Sequence, residues 1–494
     1  MACVSEPGPR PVTPIPKPLH AQLSLLLLLL LISFFVYAPG LQGPMLLDDY
    51  SQLGGLMDVE ARDWNTLSDS YLFSNSGHLK RPVAMASFIV NAMLHGDELF
   101  YWKTTNLLIH LLVAVLIFFL TRLLFRAAEP PGQRQQVGWL ALLVTGLWLL
   151  HALHVSTVFY TVQRMAQLAA LFTLAGLLAY SSGRFRQVTA TGSGWWQIAM
   201  AYLICLPMAV LSKESGVLLL LLLPVVEYVV FRGRGLPVAR AKSGRILLAT
   251  MLIPLISGVG YLLLNFDTLV LKSYQWREFT LIERLLTQPR VLVMYLQQLL
   301  VPLPGQMGFY HDDIAVSKGI LHPVTTLGSM LLLAGLLWLA WWLRNRQAVA
   351  SMGILIFFIA HLLESTVFPL ELMFEHRNYL AAFGVMLAFV VLLTQVIRQP
   401  KVLAAAGIVL LLSWAALTSA RASIWGSTSL LLNHMYSVHP ESKRLLIIHA
   451  NSLADSGAYQ QALAILENRD DPGFYINRLY IYCLRDGRID DSEL

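Results

Sequence analysis

The chain has 494 residues, of which 56% are hydrophobic and only 13% charged, against roughly a quarter charged in ordinary soluble domains. With a mean hydropathy of +0.61, this composition excludes a soluble globular enzyme and sets the class as an all-α polytopic membrane protein. The formal charge of +6 is not a nucleic-acid signal, because the basic residues are dispersed between apolar segments and form no single patch. Cys3, Cys205 and Cys483 show no C-x-x-C spacing, which argues against redox chemistry and a zinc site.

About eleven membrane-length apolar runs are predicted, near 19–38, 104–125, 137–153, 157–180, 195–211, 215–231, 246–265, 321–343, 350–368, 378–397 and 402–420. The first surrounds the unbroken Leu25–Leu31 tract. It is too long for a cleaved signal peptide and lacks an A-x-A-like site. Starting with the N-terminus inside, every predicted inner segment is basic: Arg10/Lys17, Arg122/Arg126/Arg134, Arg184/Arg186, Arg232–Arg245, Arg344/Arg346 and Arg398/Lys401. That bias sets the N-terminus as cytoplasmic, and an odd number of crossings puts the C-terminus outside.

Two long segments then fall on the outer face. The first, 39–103, carries the adjacent acids Asp48-Asp49 and the Lys80-Arg81-Pro82 segment. Ionised acids just beyond a membrane helix sit where a lipid-linked substrate presents its headgroup, and they are candidates for a general base. The second, 266–320, contains the amphipathic stretch Leu281–Leu300, expected to lie in the interface, and His311-Asp312-Asp313. Loops this long in a compact protein are usually functional.

Further charges lie at predicted outer helix ends, where they are costly and therefore functional candidates. They are Arg164, the pair Lys213-Glu214, and Glu364, Glu371 and Glu375-His376-Arg377-Asn378. Arg81, Arg164, Lys213, His376 and Arg377 suit a phosphate, Arg especially through its bidentate fork. Lys80, Glu214, Glu364, Glu375 and Asn378 are supporting candidates. The competing reading is a set of structural ion pairs, Lys213 with Glu214 or Arg377 with Glu371. Beyond the membrane part (1–422), residues 423–494 turn soluble-like. His449–Leu453, Gly457, Tyr459 and Ala462 fit one tetratricopeptide unit, and Tyr480–Leu484 with Gly487 begin another.

Leu46–Tyr50, Lys80–Pro82, Asn106–Leu112, His151–His154 with Gln163-Arg164, Leu211–Gly216 and Glu375–Gly384, in this order, resemble the bacterial relatives of the transmembrane and tetratricopeptide-repeat-containing O-mannosyltransferases. Those are GT-C glycosyltransferases. The resemblance implies a polyprenyl-phosphate sugar donor, a catalytic acid in the first outer loop, inverting transfer, and a Ser/Thr hydroxyl of an exported protein as acceptor, a pilin being one candidate. It also implies that Asp48, the first acid of the pair, carries the chemistry ahead of Asp49, and it places the protein in a bacterial inner membrane with a periplasmic site. The tail is very short beside the long arrays of eukaryotic members, so acceptor recognition is not carried over to it. Without a D-x-D in the first outer loop the reaction reads as metal-independent with no cofactor, His311-Asp312-Asp313 being the acidic run that leaves a divalent metal open. Two other classes fit parts of the pattern: a lipid-linked sugar flippase or transporter, which explains the many helices but not the long outer segments, and a non-catalytic assembly scaffold, which explains the tail but not the acids and cations.

Overall fold

A computed structural model describes residues 17–57, 63–73, 77, 79–128, 136–232, 234, 253, 256–467, 469 and 471–486. Among them the regular structure is helical, without a β-strand. In hydrocarbon every backbone N–H and C=O must be satisfied within the segment, and runs of Leu, Ala and Phe do this most cheaply as helices.

In chain order the helices are α1 (Lys17–Tyr37), α2 (Asp48–Met57), α3 (Pro82–His95), α4 (Leu99–Ala128), α5 (Val137–Leu149) and α6 (Arg164–Val188). They continue with α7 (Trp195–Ser212), α8 (Glu214–Phe231), α9 (Leu281–Leu300), α10 (Thr325–Leu343), α11 (Ala348–His361), α12 (Asn378–Val396) and α13 (Pro400–Trp425). Among the described residues eight helical segments are long and apolar enough to cross a membrane, and Pro82–His95, Val137–Leu149 and Ala348–His361 are shorter apolar helices. The predicted runs at 137–153 and 350–368 thus correspond to short helices. Of the run at 246–265, residues 246–252, 254 and 255 lie outside the described residues, as do the basic residues Arg134, Arg240, Lys242 and Arg245, and Arg10 and Gly487. Helix α3 was not anticipated: its 14 residues span only about 21 Å, and it sits within the segment read as the first outer loop.

The main core joins buried faces of α4, α5, α6, α8, α11 and α12. Where α11 meets α12, a Cβ on Gly353 would come within 2.5 Å of the Gly384 carbonyl, and one on Gly384 within 2.4 Å of the Gly353 carbonyl. The two backbones touch, which is how helices associate where lipid supplies no hydrophobic drive.

The two ends of the bundle differ in charge. At one end Arg184 pairs with Glu227 at 2.7 Å, Arg234 donates to the Ala127 carbonyl, and Arg232 to the Arg344 carbonyl. The opposite end gathers α2, α3, the loops after α5, α7 and α11, and the chain beyond α13. There α14 (Thr428–Val438) is followed by α15 (Lys443–Asp455), α16 (Tyr459–Leu466) and α17 (Pro472–Asp486). The last three share a small apolar cluster with Ala450 and Ala462 at its centre. This tail is fastened to the bundle by polar contacts. Asp312 accepts from Ser442 Oγ at 2.5 Å and from the Arg444 backbone N–H, Asp313 lies 2.8 Å from His439 Nδ1, Lys443 pairs with Glu278 and Arg444 with Glu371.

Candidate functional site

Asp48 and Asp49 face different environments. Helix α2 begins at Asp48, directly after Leu47, whose φ of 40° is left-handed. That turn directs the Asp49 carboxylate inward, where it accepts backbone N–H groups of Leu46 (3.1 Å), Thr161 (3.3 Å) and Val162 (2.7 Å). Burial pushes its carboxyl up to about 7, partly offset by those N–H groups and by Lys103. Asp49 thus ties the first loop to the segment entering α6. Asp48 is exposed, and its backbone N–H donates to the Tyr160 hydroxyl at 3.0 Å.

The Asp48 side borders a cavity of about 170 Å³ whose wall also includes Gln52, Gly77, Arg81, Gln163 and Lys213. This is room for several waters or one phosphate-sized group. Arg81 grips Glu214 through Nε (3.0 Å) and Nη2 (2.8 Å). Gly77 lies over that pair: with φ +77°, an added Cβ would come within 2.6 Å of Glu214 Oε1 and 2.8 Å of Arg81 Nη2. Lys80 is exposed, and both it and Arg81 adopt left-handed φ. Strained backbone at Leu47, Lys80 and Arg81 therefore clusters around one cavity, as it does at functional sites.

A second, smaller cavity of about 30 Å³ has a polar wall of Lys213, Glu364, His376 and Arg377 and an apolar wall from α6 and α11 that includes Ala166, Ala169, Ala170 and Ala360. Lys213 belongs to both. It is extended (φ −160°) between α7 and α8 and donates to Glu364 Oε1 at 2.6 Å. Arg377 Nε lies 3.6 Å from the other oxygen of Glu364. Burial works to raise the Glu364 carboxyl, but Lys213 and then Arg377 outweigh it and hold it at about 2. Arg377 also donates to the Glu371 carbonyl at 2.7 Å and stacks over Phe374, against whose other neighbour, His376, the ring lies 5.1 Å away. The local ion pairs thus differ from the sequence-adjacent ones: Lys213 takes Glu364, and Glu214 takes Arg81.

The remaining candidates stand elsewhere. Arg164 is fully buried, donating to Asn106 Oδ1 (2.7 Å) and to the Ser87 and Trp102 carbonyls (both 2.9 Å), 4.4 Å from the Phe88 ring centroid. Glu375 is bound by Arg421 and lies 3.8 Å from His311, and Asn378 donates to the Glu375 carbonyl. Asp312 and Asp313 serve the tail, and among the described residues no group of three or more His, Cys, Asp or Glu could hold a metal.

Several residues around the cavity are not among the site candidates read from the sequence, Asn106 appearing there only as the start of a family-like stretch. Asn106 donates to the Val158 and Thr161 carbonyls, so it shapes the stretch that supplies Gln163 to the cavity. Lys103, fully inside, donates to the Pro44 carbonyl at 2.8 Å. Lys103 stands one residue before the predicted run at 104–125 and reads there as a flanking charge, and Gln52, Gly77 and Tyr160 carry no signal.

No family model matches the chain, and no solved structure matches it. Protein O-mannosyl-transferase Tmtc3 of Drosophila melanogaster is 27% identical over 147 residues, which are 28% of this chain and 16% of that protein. The chain therefore covers well under two thirds of this relative's length. Over that stretch it is similar to an O-mannosyltransferase-like membrane glycosyltransferase.

Proposed function

We propose that this protein is a GT-C-type membrane glycosyltransferase that moves a sugar from a polyprenyl-phosphate donor to a Ser or Thr hydroxyl of an exported protein, a pilin being one candidate. The observation that carries the reading is the exposed Asp48 carboxylate beside a cavity walled by Arg81 and Lys213, in a chain similar over part of its length to a protein O-mannosyl-transferase.

A hydroxyl is a weak nucleophile. Asp48 takes its proton as the oxygen attacks the anomeric carbon. The bond from that carbon to the phosphate oxygen breaks on the opposite face, inverting the centre, and polyprenyl phosphate leaves with the electron pair. The developing phosphate charge falls to Lys213 and Arg377, with Arg81 at the rim and His376 as a further donor. Glu364 holds Lys213 and Arg377 in register and Glu214 does the same for Arg81. Asp49 and Arg164 act on the fold. The site faces the periplasm of a bacterial inner membrane, with the N-terminus cytoplasmic and residues 423–494 as a tetratricopeptide-like tail.

The test is to incubate the purified protein with a polyprenyl-phosphate sugar and a hydroxyl acceptor and to measure free polyprenyl phosphate. Release that depends on acceptor supports the reading. Movement of intact donor across reconstituted vesicles without release would make the protein a transporter instead.

A further inference from the structure

The structure points to a second ligand at the opposite end of the bundle, beyond α10. Arg344 and Arg346 follow that helix directly. The Arg344 guanidinium lies 4.1 Å from the Trp341 ring centroid and that of Arg346 3.9 Å from Trp342. Trp338 stacks on Trp342 at 6.5 Å, and Trp338 and Trp341 are 61% and 58% exposed. Arg232 reaches across from the end of α8 to the Arg344 carbonyl, adding a third cation. Among the described residues none of these three guanidiniums pairs with a carboxylate, and Glu227, at this end, is taken by Arg184.

A guanidinium laid over an indole is oriented by the ring; Arg344 Nη1 donates to the Trp341 carbonyl and Arg232 Nε to the Val229 carbonyl, and the remaining N–H groups of the three guanidiniums can meet a planar or tetrahedral oxyanion. Exposed Trp at the end of a membrane helix marks the water–hydrocarbon boundary, the depth at which lipid phosphates lie. Exposed Leu331, Leu332 and Leu337 on the same helix offer the adjoining acyl-chain surface. We propose that Trp341, Trp342, Arg344 and Arg346, with Arg232, form a binding site for the headgroup of an anionic phospholipid. The inference rests on the membrane fold and is independent of the transferase reading.

The full-length protein, purified and equilibrated with equimolar phosphatidylglycerol and phosphatidylcholine, is examined by native mass spectrometry. Wild type should retain phosphatidylglycerol preferentially, with a preference that falls as salt is raised. R344Q/R346Q should lose that preference by on the order of tenfold, and R344K/R346K, which keeps charge without planar stacking, should retain part of it. Equal retention of the two lipids by wild type, or a wild-type preference in R344Q/R346Q, overturns the proposal. Should the glutamine variant not fold, a wild-type preference insensitive to salt overturns it equally.

Discussion

Replacing Asp49 by Asn would turn one of its carboxylate oxygens into an amide that faces backbone donors, because the Leu46, Thr161 and Val162 N–H groups occupy both oxygens. An unsatisfied buried donor costs about 1–3 kcal/mol, so Asp49→Asn should lower the unfolding temperature, read by differential scanning fluorimetry. The pH dependence has a definite sign. The folded-state carboxyl is raised to about 7, above the unfolded value of about 3.9, so the stability it contributes is complete below about 4 and lost as pH rises through about 7. Wild type should therefore lose more stability than Asp49→Asn across that window. Parallel curves would contradict the assignment. Arg164 and Arg377 separate in the same manner. Arg164→Ala leaves the buried Asn106 Oδ1 without its donor and removes a bond to each of the Ser87 and Trp102 carbonyls, so it should destabilise the fold, whereas Arg377→Ala, which leaves Glu364 paired with Lys213, should cost less stability and weaken donor turnover by about one to two decades, for a lost charge-assisted bond of roughly 1.5–3 kcal/mol. Wild-type donor kinetics in Arg377→Ala would make it a structural residue.

At the scale of elements, periodicity and length made most helices legible. The stretch Leu281–Leu300 was visible as amphipathic and is a helix over those residues, opened by a Thr280/Glu283 capping box. Its surroundings were not legible. Its buried face includes Arg284, which donates to the Thr366, Leu370 and Glu364 carbonyls and so braces the turn leading to Arg377. Helix α3 was hidden because Lys80-Arg81 and Asp97-Glu98 bound its 14-residue apolar stretch on both sides, leaving it short of a membrane-length window. Partner choice was hidden too: Lys213 and Glu364 are 151 residues apart, and spacing along a chain says nothing about contacts made at that distance. The placement of Arg164 is tertiary as well, since only packing reveals that its side chain turns toward Ser87 and Trp102. The tail's fastening is equally tertiary. Partly exposed ion pairs contribute about 0.2–1 kcal/mol each, so single changes there should do little. The double variant Asp312→Ala/Glu371→Ala should speed hydrogen exchange across α15 several-fold, and unchanged exchange would mean that apolar contacts of α14 alone hold the tail.

Over the whole molecule, the described acids and cations of the candidate site gather at one end of an all-helical bundle, while Arg184, Arg232, Arg234 and Arg344 gather at the other. The proposed orientation puts the site on the far side from the cytoplasm. Reporter fusions after Pro44 and after Leu494 should both read as external, and a cytoplasmic signal from either would remove the site from the proposed donor's side of the membrane. The central claim is that an exposed carboxylate does proton chemistry beside a cationic cavity while its neighbour holds the loop. Its most direct test is acceptor-dependent release of polyprenyl phosphate by purified Asp48→Asn, after matching its unfolding temperature to wild type. Asn is nearly isosteric with Asp but a useless base at neutral pH. The account requires Asp48→Asn to fold normally, bind donor and release essentially no polyprenyl phosphate. Near-normal release by a folded Asp48→Asn would contradict it.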